Sequence, residues 1–243
     1  MIKKTKLYLI CLLILSLIFS SYAFAQEKTK KSGGGRGYSI MGLSVLNIDD
    51  LNSRLKSAGY PEFSNNFFSI GGGGHGIINK LIIGGQGGAL LVGEETTKLG
   101  KDIFNSTLVG GYGFFDIGYI ALSKKGFNIY PMLGVGFGGL TFKIAEDSSP
   151  KFDNLLSDPQ RSVELNYGGL LLNVSLGVDY LIKFAEDKTG TGGLIVGLQA
   201  GYMLAPFTHD WKMDENDVTG GPDIGFNGPY IKFLFGGGGM SYY

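Results

Sequence analysis

Cysteine is nearly missing from this chain of 243 residues. The one cysteine, Cys11, sits inside an N-terminal apolar stretch. Lys3, Lys4 and Lys6 precede that stretch, which runs from Leu7 to Phe19 and is broken only by Ser16. It ends at Ala23-Phe24-Ala25, before Gln26. A charged start, a short apolar core and an A-x-A site make residues 1–25 a secretory signal peptide. The apolar run is short for a spanning helix. Ile10 is too bulky for a lipoprotein cleavage site ahead of Cys11, so no lipid anchor is expected. With the leader removed no cysteine remains, which excludes disulfides and cysteine-bound metals.

Other things are scarce as well. Prolines number seven. After the leader no stretch reaches 18 consecutive apolar residues, so a membrane span could not be helical. No sign of charge is in large excess: 21 basic residues meet 21 acidic ones. Without the three leader lysines the basic count falls to 18. That is no nucleic-acid footprint.

What the chain has is glycine and aromatic residues. It carries 42 Gly, 17 Phe and 13 Tyr, against an ordinary glycine usage of about 7%. Disordered chains pair glycine with few aromatics, so this one should fold. Its dominant pattern is alternation with a period of two, the signature of strands with two unlike faces. From Tyr167 to Ile182, Leu170, Leu172, Val174, Leu176, Val178, Tyr180 and Ile182 fill one face. Gly169, Leu171, Asn173, Ser175, Gly177 and Asp179 fill the other. The segments from Val109, Phe127 and Leu194 repeat the design.

Eight strands are expected, near 37–48, 66–78, 81–92, 104–122, 127–145, 163–182, 193–204 and 228–243. Asn79-Lys80, Ser123–Gly126 and Lys183–Gly192 are the shorter connections. The segments near 49–65, 93–103, 146–162 and 205–227 are mostly longer and polar. A short helix is expected at Asp49–Ala58 in the first long loop, capped by Asp49 or Asp50 and ended by Gly59. The fold class is all-β: an eight-stranded antiparallel up-and-down transmembrane β-barrel. The parts are residues 1–25 as signal peptide, 26–36 as N-terminal tail and 37–243 as barrel.

The layout resembles the small eight-stranded outer-membrane barrels of the OmpA, OmpX and OmpW type, porin-like in architecture, over nearly the whole mature chain. Tyr243 supplies the terminal aromatic of such barrels; Gly238 fits their C-terminal pattern and Ser241 departs from it. The resemblance implies the outer membrane of a Gram-negative-type bacterium. It also implies membrane lipid as the surroundings, assembly machinery that reads Tyr243, a surface ligand at the long loops, and no cofactor.

One stretch invites another reading. Between Ser69 and Leu91, nine of 23 residues are glycine, and Gly71, Gly73 and Gly76 spell G-x-G-x-x-G. A phosphate cradle needs a helix to follow. Here Asn79-Lys80 separates two apolar strand patterns, which marks a hairpin. Pairing across it sets His75 opposite Gly84 and Gly73 opposite Gln86 on the lumen side. Gly72, Gly74, Gly85 and Gly87 then face the lipid, where curvature or a contact partner could require them. The inward Gly134, Gly136 and Gly138 should lie near Tyr112 and Phe114.

The inward polar residues form the candidate site: His75, Gln86, Asp116, Asn173, Asp179, Gln199 and Lys232. They read as a structural network or a pore lining, with no metal. The expected role is structural or interactive, through a largely filled lumen and four surface loops, and not enzymatic. Inward Ile195, Leu171, Met132 and Met203 suggest the alternative of a channel for small hydrophobic molecules, as the OmpW resemblance implies. Two further readings are a lipid-modifying barrel enzyme using His209, beside Thr208 and Asp210, and a soluble lipocalin-like carrier. Trp211 is expected to anchor its loop at the membrane interface. Asp214, Glu215, Asp217 and Asp223 are expected to be a solvated acidic face.

Overall fold

A computed structural model describes residues 32–148, 151–157, 162–186 and 189–242. The signal-peptide segment and Tyr243 lie outside the described residues. Eight long strands form the wall. They are β1 (Ser32–Val45), β2 (Asn66–Ile78), β3 (Leu81–Leu91), β5 (Asp102–Tyr119), β7 (Phe127–Glu146), β8 (Ser162–Glu186), β9 (Gly190–Thr208) and β12 (Gly228–Tyr242). Four short strands accompany them: β4 (Glu95–Leu99), β6 (Leu122–Lys124), β10 (Lys212–Met213) and β11 (Asn216–Asp217). The helices are α1 (Asp49–Ser57) and α2 (Phe152–Ser157).

Each long strand pairs antiparallel with its neighbour. The order β8-β9-β12-β1-β2-β3-β5-β7 closes through β7 against β8. A closed ring leaves no sheet edge, so every wall strand has its backbone paired on both sides. The chain is therefore an all-β, eight-stranded up-and-down barrel, as its alternation predicts.

The faces follow the period of two. Outward Phe115, Ile117, Val135, Phe137, Leu176, Leu198 and Phe235 are each at least 46% exposed. Inward Asp116, Asn173, Gln199 and Lys232 are at most 1% exposed. Apolar side chains outside and polar ones inside is the reverse of a water-soluble barrel, and it matches a wall immersed in lipid. β1 also alternates: Tyr38 and Ile40 point in, while Met41 and Leu43 point out.

Hairpin register is set by the turns. Asn79 takes φ 57°, the left-handed conformation that asparagine tolerates. The β2–β3 pairing then runs Ile78↔Leu81, His75↔Gly84 and Gly73↔Gln86, as the sequence predicts. The lipid-side pairs Gly74↔Gly85 and Gly72↔Gly87 hold too. Their crowding explains these outward glycines. A Cβ on Gly72, Gly74, Gly85 or Gly87 would lie 2.9–3.2 Å from a carbonyl oxygen of the adjoining strand. Tight coiling brings the strands that close, so a side chain there needs the neighbouring strand to give by a few tenths of an ångström or more.

Several boundaries differ from expectation. β1 begins at Ser32, five residues ahead of the expected 37, because Ser32 pairs with β12 and Gly33–Arg36 pair with both β12 and β2. β8 and β9 extend past the expected ends and shorten the turn between them. The loop expected at 93–103 contains β4, which folds back on β5. α1 matches its expected position, but neither Asp49 nor Asp50 caps it. Ile48 is the N-cap and makes no side-chain cap bond. Asn47 Oδ1 accepts the Asp49 N–H instead, at 3.3 Å. The two aspartates sit in the first turn, where their charge favours the helix dipole. Gly59, at φ +85°, follows the helix as expected.

Candidate functional site

All seven polar residues singled out in the sequence face the barrel interior, and each is at most 5% exposed. Six of them join into a middle layer. Gln86 Nε2 donates to Asp116 Oδ2 at 2.9 Å, and Lys232 Nζ donates to Gln86 Oε1 at 3.1 Å. Lys232 therefore reaches Asp116 through Gln86 rather than directly. His75 Nε2 lies 3.9 Å from Asp116 Oδ2 and shares a 2.8 Å hydrogen bond with the Tyr38 hydroxyl. Lys232 Nζ also sits 4.3 Å from the ring centre of Tyr112 and 4.2 Å from that of Tyr230, in cation–π geometry. Tyr230 donates to Asn173 Oδ1 at 2.8 Å.

Gln199 joins the layer from β9, donating through Nε2 to Ser175 Oγ at 2.9 Å. Asp116 Oδ1, Asn173 Nδ2 and Gln199 Oε1 are buried without a protein hydrogen-bond partner.

Asp179 belongs to a separate cluster, nearer the short-turn end. Its carboxylate pairs with Arg36 and accepts from Asn128 Nδ2 at 2.8 Å. Arg36 lies 5.8 Å over the Tyr130 ring. Sequence reading missed Arg36 because it stood just before the expected barrel boundary. It missed the tyrosines because inward alternation alone does not say which rings meet which charges.

A signal for the rings did exist in the register. Tyr38 pairs with Gly73, Tyr112 with Gly88, Tyr130 with Gly177 and Tyr230 with Gly201. Each of these four tyrosines thus faces a glycine on an adjacent strand. An eight-stranded interior is only wide enough for its side chains, so a large ring needs an empty place beside it. Gly136 and Gly138 pair with Phe114 and Tyr112, as expected, whereas Gly134 pairs with Asp116. At Gly138, however, the closest side chain to an added Cβ is that of Leu171.

The long-loop end is capped. Leu51 and Leu55 of α1 join Phe63, Phe142, Tyr167, Trp211 and Phe226 in one buried cluster that continues down to Tyr112 and Tyr230. Polar ties hold the helix to the last loop. Arg54 donates to the Gly220 carbonyl, and the Asp223 N–H donates to Asp50 Oδ2 at 2.8 Å. That backbone donor, followed by Arg54, holds the Asp50 carboxyl below its ordinary value.

Trp211 does not anchor the loop at the membrane. It is 2% exposed, donates to the Pro222 carbonyl at 2.8 Å and lies 5.4 Å from the Tyr167 ring. The reason is the fold of its loop. β10 pairs with β8 and β11, which turns the indole inward over the barrel mouth, and Gly221 leaves room for it. His209 lies in an open groove on the outer wall with Asn166, Lys212 and Asp214. Asp214, Glu215, Asp217 and Asp223 are exposed, and among the described residues no cluster of His, Cys, Asp or Glu could hold a metal.

Neither a scan of family models nor a search of curated proteins finds a match. Solved structures do match. Ail, the attachment invasion locus protein of Yersinia pestis, solved with the heparin analogue sucrose octasulfate, is similar at 13% identity and TM-score 0.38. The match covers 87% of this chain and 98% of that one. The outer membrane protease OmpT from Escherichia coli is similar at 9% identity and TM-score 0.30, covering 88% of this chain and 97% of that one. The expectation that this chain is not an enzyme is corrected by the second match. Fold does not fix function. Its enzyme status is open. The closed ring, its apolar outer belt and its polar interior establish the chain as an eight-stranded transmembrane β-barrel.

Proposed function

We propose that this barrel works through its surface loops, with a lumen filled by its own side chains. The carrying observation is the burial of the lumen layer. His75, Gln86, Asp116 and Lys232 are each at most 5% exposed and follow one another from strand to strand across the interior. The candidate channel residues support the same reading. Met132, Leu171, Ile195 and Met203 are each at most 2% exposed, and Leu171 and Met203 belong to the cluster under α1. A passage would need these side chains to part. The loop assembly above them, tied together by Arg54 and Asp50, offers a shaped surface for a ligand outside the cell.

The test is electrical. Purified protein in planar lipid bilayers is expected to show no steady single-channel conductance, whereas regular conductance steps from monomeric barrels would refute the filled lumen.

We also propose export by removal of residues 1–25 and assembly through the C-terminal aromatic. The mass of protein taken from outer membranes is expected to correspond to a chain beginning at Gln26. A mass that includes the leader would count against cleavage there.

A further inference from the structure

A cavity of about 220 Å³ lies between α1, the outer ends of β7 and β8, and the last long loop. Leu51, Leu55, Phe142, Leu165 and Trp211 form much of its wall, and Arg54 lies at its edge. The wall is almost all carbon. The pocket is open to solvent on one side, and since a molecule the size of benzene fits roughly 150 Å³, it has room for a short hydrocarbon.

The charge at the edge narrows the class. The Arg54 side chain is 51% exposed. It donates through one terminal nitrogen to the Gly220 carbonyl and through the other to Asp50 Oδ2 at 3.3 Å. A guanidinium has five N–H donors in a fork that suits a carboxylate, so donors remain after these two contacts. The Asp50 carboxylate is also engaged by the Asp223 N–H, at 2.8 Å.

We propose that this cavity binds a medium-chain carboxylate, with its hydrocarbon tail between α1 and Trp211 and its head on Arg54. The site is on the loop side of the barrel and needs no passage through the lumen. It therefore stands independently of the filled-lumen reading.

Trp211 makes the test direct, because it is the single tryptophan of the chain and lines the cavity. The probe is 8-bromooctanoate, whose bromine quenches indole emission on contact, added to the folded barrel in zwitterionic detergent. Saturable quenching is expected. Ala58 lines the cavity from the exposed end of α1, and Ala58→Phe is expected to abolish saturation. Leu55→Phe is the second filling variant, and each is checked for folding by its heat-modifiable mobility on gels. Arg54→Gln is expected to weaken the acid about tenfold, the worth of one charge-assisted hydrogen bond, while 8-bromooctanol binds as before. Quenching that rises linearly without saturation, or that saturates equally in the folded filling variants, would overturn the site. Equal affinity for the acid in Arg54→Gln would overturn the assignment of its head group.

Discussion

Asp179→Ala is expected to destabilise the barrel by about 3–5 kcal/mol, the usual cost of leaving a buried charge without its partner. The reasoning begins with burial: the side chains of Arg36 and Asp179 are 8% and 1% exposed. Without Asp179 the Arg36 guanidinium stays buried beside the Tyr130 ring, 5.8 Å away, with its carboxylate partner gone. Asn128 loses its 2.8 Å acceptor in the same variant. Removing the charges together should behave differently. Arg36→Met with Asp179→Leu leaves no ion stranded and is expected to recover most of the loss, since apolar replacements of buried pairs are often neutral. Urea titration of refolding into lipid vesicles measures both. A single variant as stable as the parent would show that Asp179 does not hold Arg36.

Gly136→Ala is expected to cost about 3 kcal/mol, the upper end for overpacking, or to prevent folding outright. A Cβ at this inward position would run into the Gly113 carbonyl and lie 2.9 Å from the Phe114 Cα. Both obstacles are backbone of β5, so no rotamer change relieves them. Gly113→Ala, outward on the neighbouring strand, is the control. Nothing lies within 4 Å of its added Cβ, and its stability should stay within about 0.5 kcal/mol of the parent. The same titration reads both. Equal effects would mean that the inward glycines are not there to make room.

The contrast shows what alternation can and cannot disclose. Strand number, facing and the β2–β3 register were legible because turn residues and a period of two are local signals. His75, Gln86 and Asp116 were found as lumen residues for that reason. Their connections were not legible, because which long side chain reaches which partner depends on barrel closure. Lys232 on β12 meets Gln86 on β3 across the interior, 146 residues away in sequence. Arg36 was lost to a boundary five residues off, and with it the true partner of Asp179. Trp211 was misjudged because a loop rich in Asp and Gly gives no sign that it folds back over the barrel mouth. The outward glycines were puzzling in sequence for a related reason, since the closeness of neighbouring carbonyls is a property of the coiled sheet.

Residues 26–243 contain no cysteine, so a single thiol introduced there can report the lumen directly. Ser175 is 6% exposed and faces inward beside Gln199, while the adjacent Leu176 is 51% exposed and faces out. The decisive measurement is the reaction of Ser175→Cys with a charged, membrane-impermeant maleimide in barrels folded into lipid vesicles. His209→Cys serves as the exposed loop control and Leu176→Cys as the lipid-facing one. The expected result is complete reaction at 209 and none at 175 or 176 until the barrel is denatured. Reaction at 175 as fast as at 209 would mean a water-filled lumen, and reaction at 176 would mean a wall outside the membrane; either would contradict a lipid-embedded barrel filled by its own side chains.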